Sequence, residues 1–284
     1  YAPNQDHRFY KELNIVGGRF TRLGWRAVVA ADLLTKILHE TRPYERVPGT
    51  TDAVYVEALA DVCRCIEGGA KDIDAVLRDV LGRFRAIERR QEKRPTIGLV
   101  GEIYIRSNKF SNSQLIRTVE DLGGVVWLAP VCEWISYVNY TGKRKSKKRD
   151  TLLGVLGFII TEYIQSKDEH LMEDIFVPFI KYGHEPKIKD ILEKASPYIH
   201  DSFEGEAVLT VGKSVDFARK GVAGIINAMP FTCMPGTVSS AIMRLIQQNH
   251  DIPVINIAYD GQGVTNILTR LEAFMHQVRE RTRD

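Results

Sequence analysis

Two cysteines follow predicted strands in the part of the chain that alternates strands with helices. Cys233 comes shortly after the apolar run 224–229, and Cys132 follows a second apolar run at 125–130. Because all strands of a parallel sheet end on the same side, we expect both thiols at one crevice, where open α/β sheets bind their ligands. Two such thiols could contribute to an iron–sulfur cluster, whose thiolate ligands usually number four. The spacing alone leaves three alternatives for Cys233: a metal ligand, a nucleophile or a small buried side chain.

Carboxylates are predicted at the same ends of the strands. Glu102 follows the first strand, Glu133 the second and Asp260 the fourth. A carboxylate at such a position binds a ligand hydroxyl, caps the next helix or acts as an acid or base. We expect capping for Asp260, because a predicted helix begins just beyond it, and we retain all three as candidate cofactor-binding residues.

The remaining cysteines give a weaker signal. Cys63 and Cys65 stand two residues apart in a predicted helix, so they face different directions, and we expect them to pack in a core. Neither a Cys-x2-Cys pair nor paired histidines accompany Cys132 and Cys233, which argues against zinc at those thiols.

Two further segments resemble phosphate-binding sequences. Residues 207–214 satisfy a relaxed phosphate-loop pattern, but the four variable positions are Val, Leu, Thr and Val. Their apolar residues recur at helical spacing, so we expect a helix. The run 143–149 is strongly basic and could contact phosphates of a nucleic acid or of coenzyme A. Because no aromatic residue is interleaved with it, we expect a solvated loop.

The overall composition is that of an ordinary globular protein. The 284 residues are 44% hydrophobic and 26% charged, with a net charge of +3 that does not indicate nucleic-acid binding. The longest apolar run, 152–160, is far shorter than the roughly 20 residues of a membrane span. Four scattered cysteines do not form a secreted disulfide framework, so we expect a cytoplasmic location. The chain begins without methionine, and we interpret it as a fragment or a processed chain.

The element pattern predicts an α/β fold. Residues 94–284 are expected to form a Rossmann-like, doubly wound parallel sheet with a helical insertion at about 151–220. Residues 1–93 show helical spacing of apolar residues and are expected to be the mainly helical tail of a preceding α/β domain.

Seven segments carry a resemblance to a known family. They read Met-Pro-Phe-Thr-Cys-Met-Pro-Gly-Thr at 229–237, Ile-Pro-Val-Ile-Asn-Ile-Ala-Tyr-Asp-Gly-Gln at 252–262, Thr-Arg-Leu-Glu-Ala-Phe at 269–274, Asp-Leu-Leu at 32–34, Arg-Pro-Tyr-Glu at 42–45, Gly-Glu-Ile-Tyr at 101–104 and Ala-Pro-Val-Cys-Glu-Trp at 129–134. Together they resemble the 2-hydroxyacyl-CoA dehydratase and benzoyl-CoA reductase family. The likeness is closest to its activator-related branch, in which a related module lies behind an actin-like ATPase in large fused proteins.

The resemblance implies two Rossmann-like domains with an iron–sulfur cluster between them. By position Cys233 resembles one cluster ligand, Cys132 has no firm assignment in the family, and the other ligands are expected in segments before Tyr1. The cluster is therefore expected to be absent or incomplete in this chain alone. An actin-like ATPase activator, in the same chain or a separate one, would supply a low-potential electron that passes to an acyl-CoA thioester.

Two hypotheses about function follow. The first is an iron–sulfur redox module that receives electrons from an ATP-dependent activator, with the isolated chain inactive. The alternative is a non-catalytic α/β module that binds a ligand or a partner, with Cys233 structural. We expect neither nucleic acid nor a membrane as a partner, and a dimer is left open.

Overall fold

The computed structural model describes residues 18–148, 152–261 and 266–283, which fall into two compact units. The first unit contains the described residues up to Arg89 together with Pro130–Glu185. The second contains Arg90–Ala129 and the described residues from Pro186 onward.

The elements alternate between the two units along the chain. The α-helices are α1 (Gly18–Thr41), α2 (Thr50–Glu67), α3 (Ile73–Arg85), α4 (Ile103–Ser107), α5 (Leu115–Asp121), α6 (Cys132–Lys148), α7 (Leu152–Phe176), α8 (Ile188–Ala195), α9 (Glu206–Arg219), α10 (Met234–His250) and α11 (Ile267–Arg283). Short 3-10 turns lie at Arg42–Tyr44 and Asp201–Phe203. The strands are β1 (Thr96–Gly101), β2 (Val125–Leu128), β3 (Gly224–Pro230) and β4 (Val254–Tyr259).

The described part of the first unit is built from helices α1, α2, α3, α6 and α7 around one apolar core. Helix α3 shows how the sequence specifies this packing, since its buried residues Ile73, Leu77 and Phe84 are four and seven positions apart and so lie on one face. Trp25 of α1 is buried in the same core and donates a hydrogen bond to the carbonyl oxygen of Gln165 in α7, at 3.0 Å.

The second unit contains a four-stranded sheet in which every strand is parallel, in the order β2-β1-β3-β4. The fold class predicted from the sequence is therefore confirmed. The chain places β2 on one side of β1 and then returns to place β3 and β4 on the other side. The strand order therefore reverses between β1 and β3. In open α/β sheets, ligands bind outside the carboxyl ends of the strands at such a reversal.

The division of the chain differs from the predicted boundaries. Residues 130–185, part of which we expected as an insertion of the sheet domain, belong to the first unit. The reason is packing: Met172 and Phe176 of α7 are buried in the helical core. Helix α9 belongs to the second unit instead, where residues 207–217 are buried.

One local expectation also needs correction. The basic run 143–149, expected as a loop, continues helix α6 as far as Lys148, and residue 149 lies outside the described residues. None of the helices described in the structure is long and apolar enough to cross a bilayer.

Candidate functional site

The reversal point of the sheet brings the end of β1 next to β3. Gly101 ends β1 opposite Ala228 of β3, and the N–H of Glu102 donates to the Ala228 carbonyl oxygen at 2.9 Å. The Glu102 carboxylate accepts hydrogen bonds from the N–H groups of Tyr104, at 3.0 Å, and Ile105, at 2.7 Å. It therefore caps helix α4, which is one of the three roles predicted for it.

Glu206 was not identified from the sequence as a site residue, and the structure places it beside Glu102. It begins helix α9, and its carboxylate accepts a hydrogen bond from the N–H of Ile103 at 3.2 Å. Burial raises the pKa of Glu206, and the charge of Glu102 acts in the same direction. Its place at the start of a helix leading into β3 was a usable signal, because a helix that precedes a parallel strand begins at the carboxyl edge of the sheet.

Cys233 lies at the same edge, in the turn that joins β3 to α10. It is the N-terminal capping residue of that 17-residue helix, and its side chain is half-buried. Burial raises the pKa of the thiol, and the charges of Glu206 and Glu102 raise it further, against a backbone hydrogen bond from Gly236 that lowers it. The net increase means that Cys233 is protonated at neutral pH. This argues against the nucleophile alternative, because the thiolate is the reactive form.

Two large apolar side chains beside Cys233 are exposed. Phe231 and Met234, which flank it in the turn, are 64% and 68% exposed. Large apolar side chains exposed beside a functional group are typical of surfaces that are covered by another molecule or segment.

Cys132, by contrast, belongs to the first unit and is fully buried. Its N–H donates to the Asp32 carboxylate at 2.8 Å, and its Sγ lies 3.9 Å from Oε1 of Glu169. Burial, followed by the charge of Asp32, raises its pKa well above the usual range. Cys132 is therefore part of the helical core of the first unit, and a crevice shared with Cys233 stays a prediction.

Cys132 borders a partly buried acidic cluster that was not predicted. We define the acidic cluster as Asp32, Glu169, Glu173 and Glu185 of the first unit. Burial, followed by the charges of Glu173 and Glu185, raises the pKa of Glu169 to about 8. Lys36 binds Glu185 at 2.8 Å and the carbonyl oxygen of Tyr182 at 2.6 Å. Asp32 is far in sequence from the three glutamates, so no local motif could indicate the whole cluster.

The other two predicted carboxylates are Glu133 and Asp260. Glu133 lies in the first turn of α6, where it is buried in the first unit. Asp260 is exposed after β4, and the segment 262–265 that leads to α11 lies outside the described residues, so its predicted capping role is not visible.

The remaining motifs resolve into ordinary structure. The phosphate-loop pattern at 207–214 forms helix α9 as expected, with Lys213 buried and its ammonium 5.4 Å from the ring centre of Phe217. Lys143 of the basic run pairs with Glu162 at 2.7 Å. Cys65 packs partly against the helical core as predicted, whereas Cys63 is exposed, which corrects that expectation.

Neither a protein-family model, nor a curated protein, nor a solved structure matches this chain. Two features therefore carry the functional inference: the edge of the second unit at Glu102, Glu206 and Cys233, and the acidic cluster of the first unit.

Proposed function

We propose that the second unit is a redox module that contributes the Cys233 thiol to an iron–sulfur cluster. The supporting observation is the position of Cys233, half-buried at the end of a central strand where the strand order reverses. A cluster there would supply one-electron chemistry, with its potential tuned by exposure and hydrogen bonding. An ATP-dependent activator of the actin-like class would donate the electron, and an acyl-CoA thioester would accept it, in a cytoplasmic setting.

The cysteines of this chain fit only one position of such a cluster. Cys233 is the single cysteine of the second unit, whereas a cluster usually takes four thiolates. Cys132 does not fit, because its thiol is enclosed by the helical core and its pKa is raised well above the usual range by burial and by Asp32. The remaining ligands would therefore come from another polypeptide segment. The exposed side chains of Phe231 and Met234 offer an apolar surface for that segment to cover.

Iron binding at Cys233 would have to remove the thiol proton. A thiol must lose its proton to bind iron. Burial and the charges of Glu206 and Glu102 raise the pKa of Cys233, so the bound iron must displace a proton that the site retains at neutral pH.

A ligand-binding module without redox chemistry is the second candidate. The hydrogen bonds of the two carboxylates favour it, since Glu102 accepts from two backbone N–H groups and Glu206 from a third. Carboxylates used in this way stabilise the backbone at the edge of the sheet.

Iron content distinguishes the two candidates. The full-length natural protein is purified without oxygen, supplied with iron and sulfide, and analysed for both per chain. We expect bound iron in the wild type and in Cys63→Ser, which removes an exposed thiol of the other unit. Cys233→Ser should lose most of the iron. Iron-free wild-type protein, or a Cys233→Ser variant that retains its iron, would reject the redox module and leave the ligand-binding module.

A further inference from the structure

Three side chains near the carboxyl end of α7 converge on one point. His170 and Glu173 lie one helical turn apart on α7, and His184 reaches them from the segment that follows the helix. Oε2 of Glu173 is 2.8 Å from Nδ1 of His184 and 3.8 Å from Nδ1 of His170. One donor atom from each residue lies within 4.8 Å of the others. Two imidazoles and one carboxylate at this spacing are a recognised ligand set for divalent metal ions.

Glu173 is held in position before any ion binds. It is only 3% exposed, and its Oε1 accepts a hydrogen bond from the N–H of Glu185 at 3.1 Å. Its other oxygen, Oε2, faces the two imidazoles. The histidine side chains are 48% and 42% exposed, so the ligand set is open to solvent on the side opposite the carboxylate. A fixed buried oxygen and two accessible nitrogens provide both a preformed ligand and an entry path.

An additional carboxylate supports the orientation of one imidazole. Oδ1 of Asp174 lies 3.3 Å from Nε2 of His184, on the opposite ring nitrogen from Glu173. Histidine ligands of metal ions commonly donate their second N–H to a carboxylate, which fixes the ring and strengthens the nitrogen that binds the ion.

The charge at the site also favours a cation. The carboxylates of Glu173 and Asp174 approach the two ring nitrogens of His184, at 2.8 Å and 3.3 Å. Carboxylates that lie this close to one imidazole attract a cation, and a bound divalent ion reduces the repulsion between them.

We propose that His170, Glu173 and His184 bind one divalent transition-metal ion of the zinc type, with Asp174 orienting His184. Nitrogen and oxygen ligands together suit Zn²⁺ and Co²⁺, whereas Mg²⁺ and Ca²⁺ prefer oxygen alone. Three protein ligands leave a position for water or a substrate group. This site contains no thiol and is separate from the iron proposal at Cys233.

Metal titration tests the proposal directly. Zn²⁺ binding to the full-length protein is measured by calorimetry, and Co²⁺ is used as a spectroscopic probe. We expect one ion per chain at this site, visible as cobalt d–d absorption without the near-ultraviolet band of a cobalt–thiolate bond. His170→Ala and His184→Ala should each weaken Zn²⁺ binding by about tenfold or more. Both residues are about half exposed, so circular dichroism should show folded variants.

His276→Ala is the matched control, because it removes an exposed histidine from α11 in the second unit. Its Zn²⁺ affinity should equal that of the wild type. The proposal is overturned if the two α7-site variants bind Zn²⁺ as tightly as His276→Ala, if the wild type binds no ion, or if cobalt shows thiolate ligation.

Discussion

Replacing Gly101 by alanine tests whether the close approach of β1 and β3 fixes the carboxyl edge of the sheet. Gly101 ends β1 with a φ of +114°, which residues with a Cβ rarely adopt. A Cβ at this position would stand 2.0 Å from the carbonyl oxygen of Ala228 and 2.7 Å from its nitrogen. That oxygen also accepts the hydrogen bond from Glu102, so it cannot move aside without disturbing the capping residue of α4.

The expected loss of stability in Gly101→Ala has two separable parts. The backbone conformation costs about 1–2 kcal/mol for a residue with a Cβ. Forcing a methyl group into a packed position typically costs about 1–3 kcal/mol more. Gly101→Ala should therefore lower the free energy of unfolding by about 2–5 kcal/mol. Gly123 provides the control within the same unit, since its φ is +87° but nothing lies within 4 Å of an added Cβ. Gly123→Ala should cost only the backbone part, about 1–2 kcal/mol.

Urea unfolding followed by circular dichroism and tryptophan fluorescence measures both variants. Trp127 of β2 reports on this unit, because it is buried and packs on Phe217 with ring centres 4.5 Å apart. The midpoint for Gly101→Ala should fall clearly below that for Gly123→Ala. Equal midpoints would show that β3 moves to accommodate the added methyl group. The close approach of Gly101 to Ala228 would then not be what fixes the carboxyl edge of the sheet.

Two further predictions concern the first unit. The Asp168 carboxylate is 1% exposed and forms ion pairs with Arg22 at 2.7 Å and Arg26 at 2.9 Å. Asp168→Asn removes its charge, so it should lower the free energy of unfolding by about 3 kcal/mol, measured in urea at neutral pH. Burial acts to raise the pKa of Asp168, but the two arginines outweigh it and the pKa lies below the usual 3.8. The stabilisation is therefore present above that pH and lost as the pH falls further, so wild-type and variant midpoints should converge in acid. In thiol labelling read by mass spectrometry, exposed Cys63 should react at neutral pH, whereas Cys132 should react only after unfolding, since burial raises its pKa. Comparable labelling of both cysteines in the native protein would contradict the enclosed position of Cys132.

The strands were predictable from the sequence because fully buried parallel strands consist of continuous apolar runs. Residues 225–229, for example, form an apolar run interrupted by a single asparagine, and they lie within β3. The order β2-β1-β3-β4 was not predictable to the same degree, because an apolar run does not specify its neighbour. The class of the sheet followed from the alternation of strands and helices, while its arrangement depends on pairing that only the folded chain shows.

The unit boundaries could not be predicted because they depend on which core a helix joins. Helix α7 begins with an apolar run whose Leu156 and Ile160 are exposed, and the burial of Phe176 near its other end places the helix in the first unit. The Asp32 carboxylate also ties the start of α6 to α1, because it accepts hydrogen bonds from the N–H groups of Val131, at 3.1 Å, and Cys132. These contacts join residues about a hundred positions apart, a separation over which local sequence patterns carry no information.

Cys132 and Cys233 show why the same sequence signal leads to different chemistry. Each comes shortly after a strand and lies at the start of a long helix, where the helix dipole alone would favour a thiolate. Cys233 is half-exposed, and burial, followed by the charges of Glu206 and Glu102, raises its pKa. Cys132 is enclosed next to Asp32 and Glu169, where a second negative charge is disfavoured. A cation that approaches the first unit from solvent would therefore be bound by the exposed imidazoles and the Glu173 oxygen, and not by the enclosed thiol.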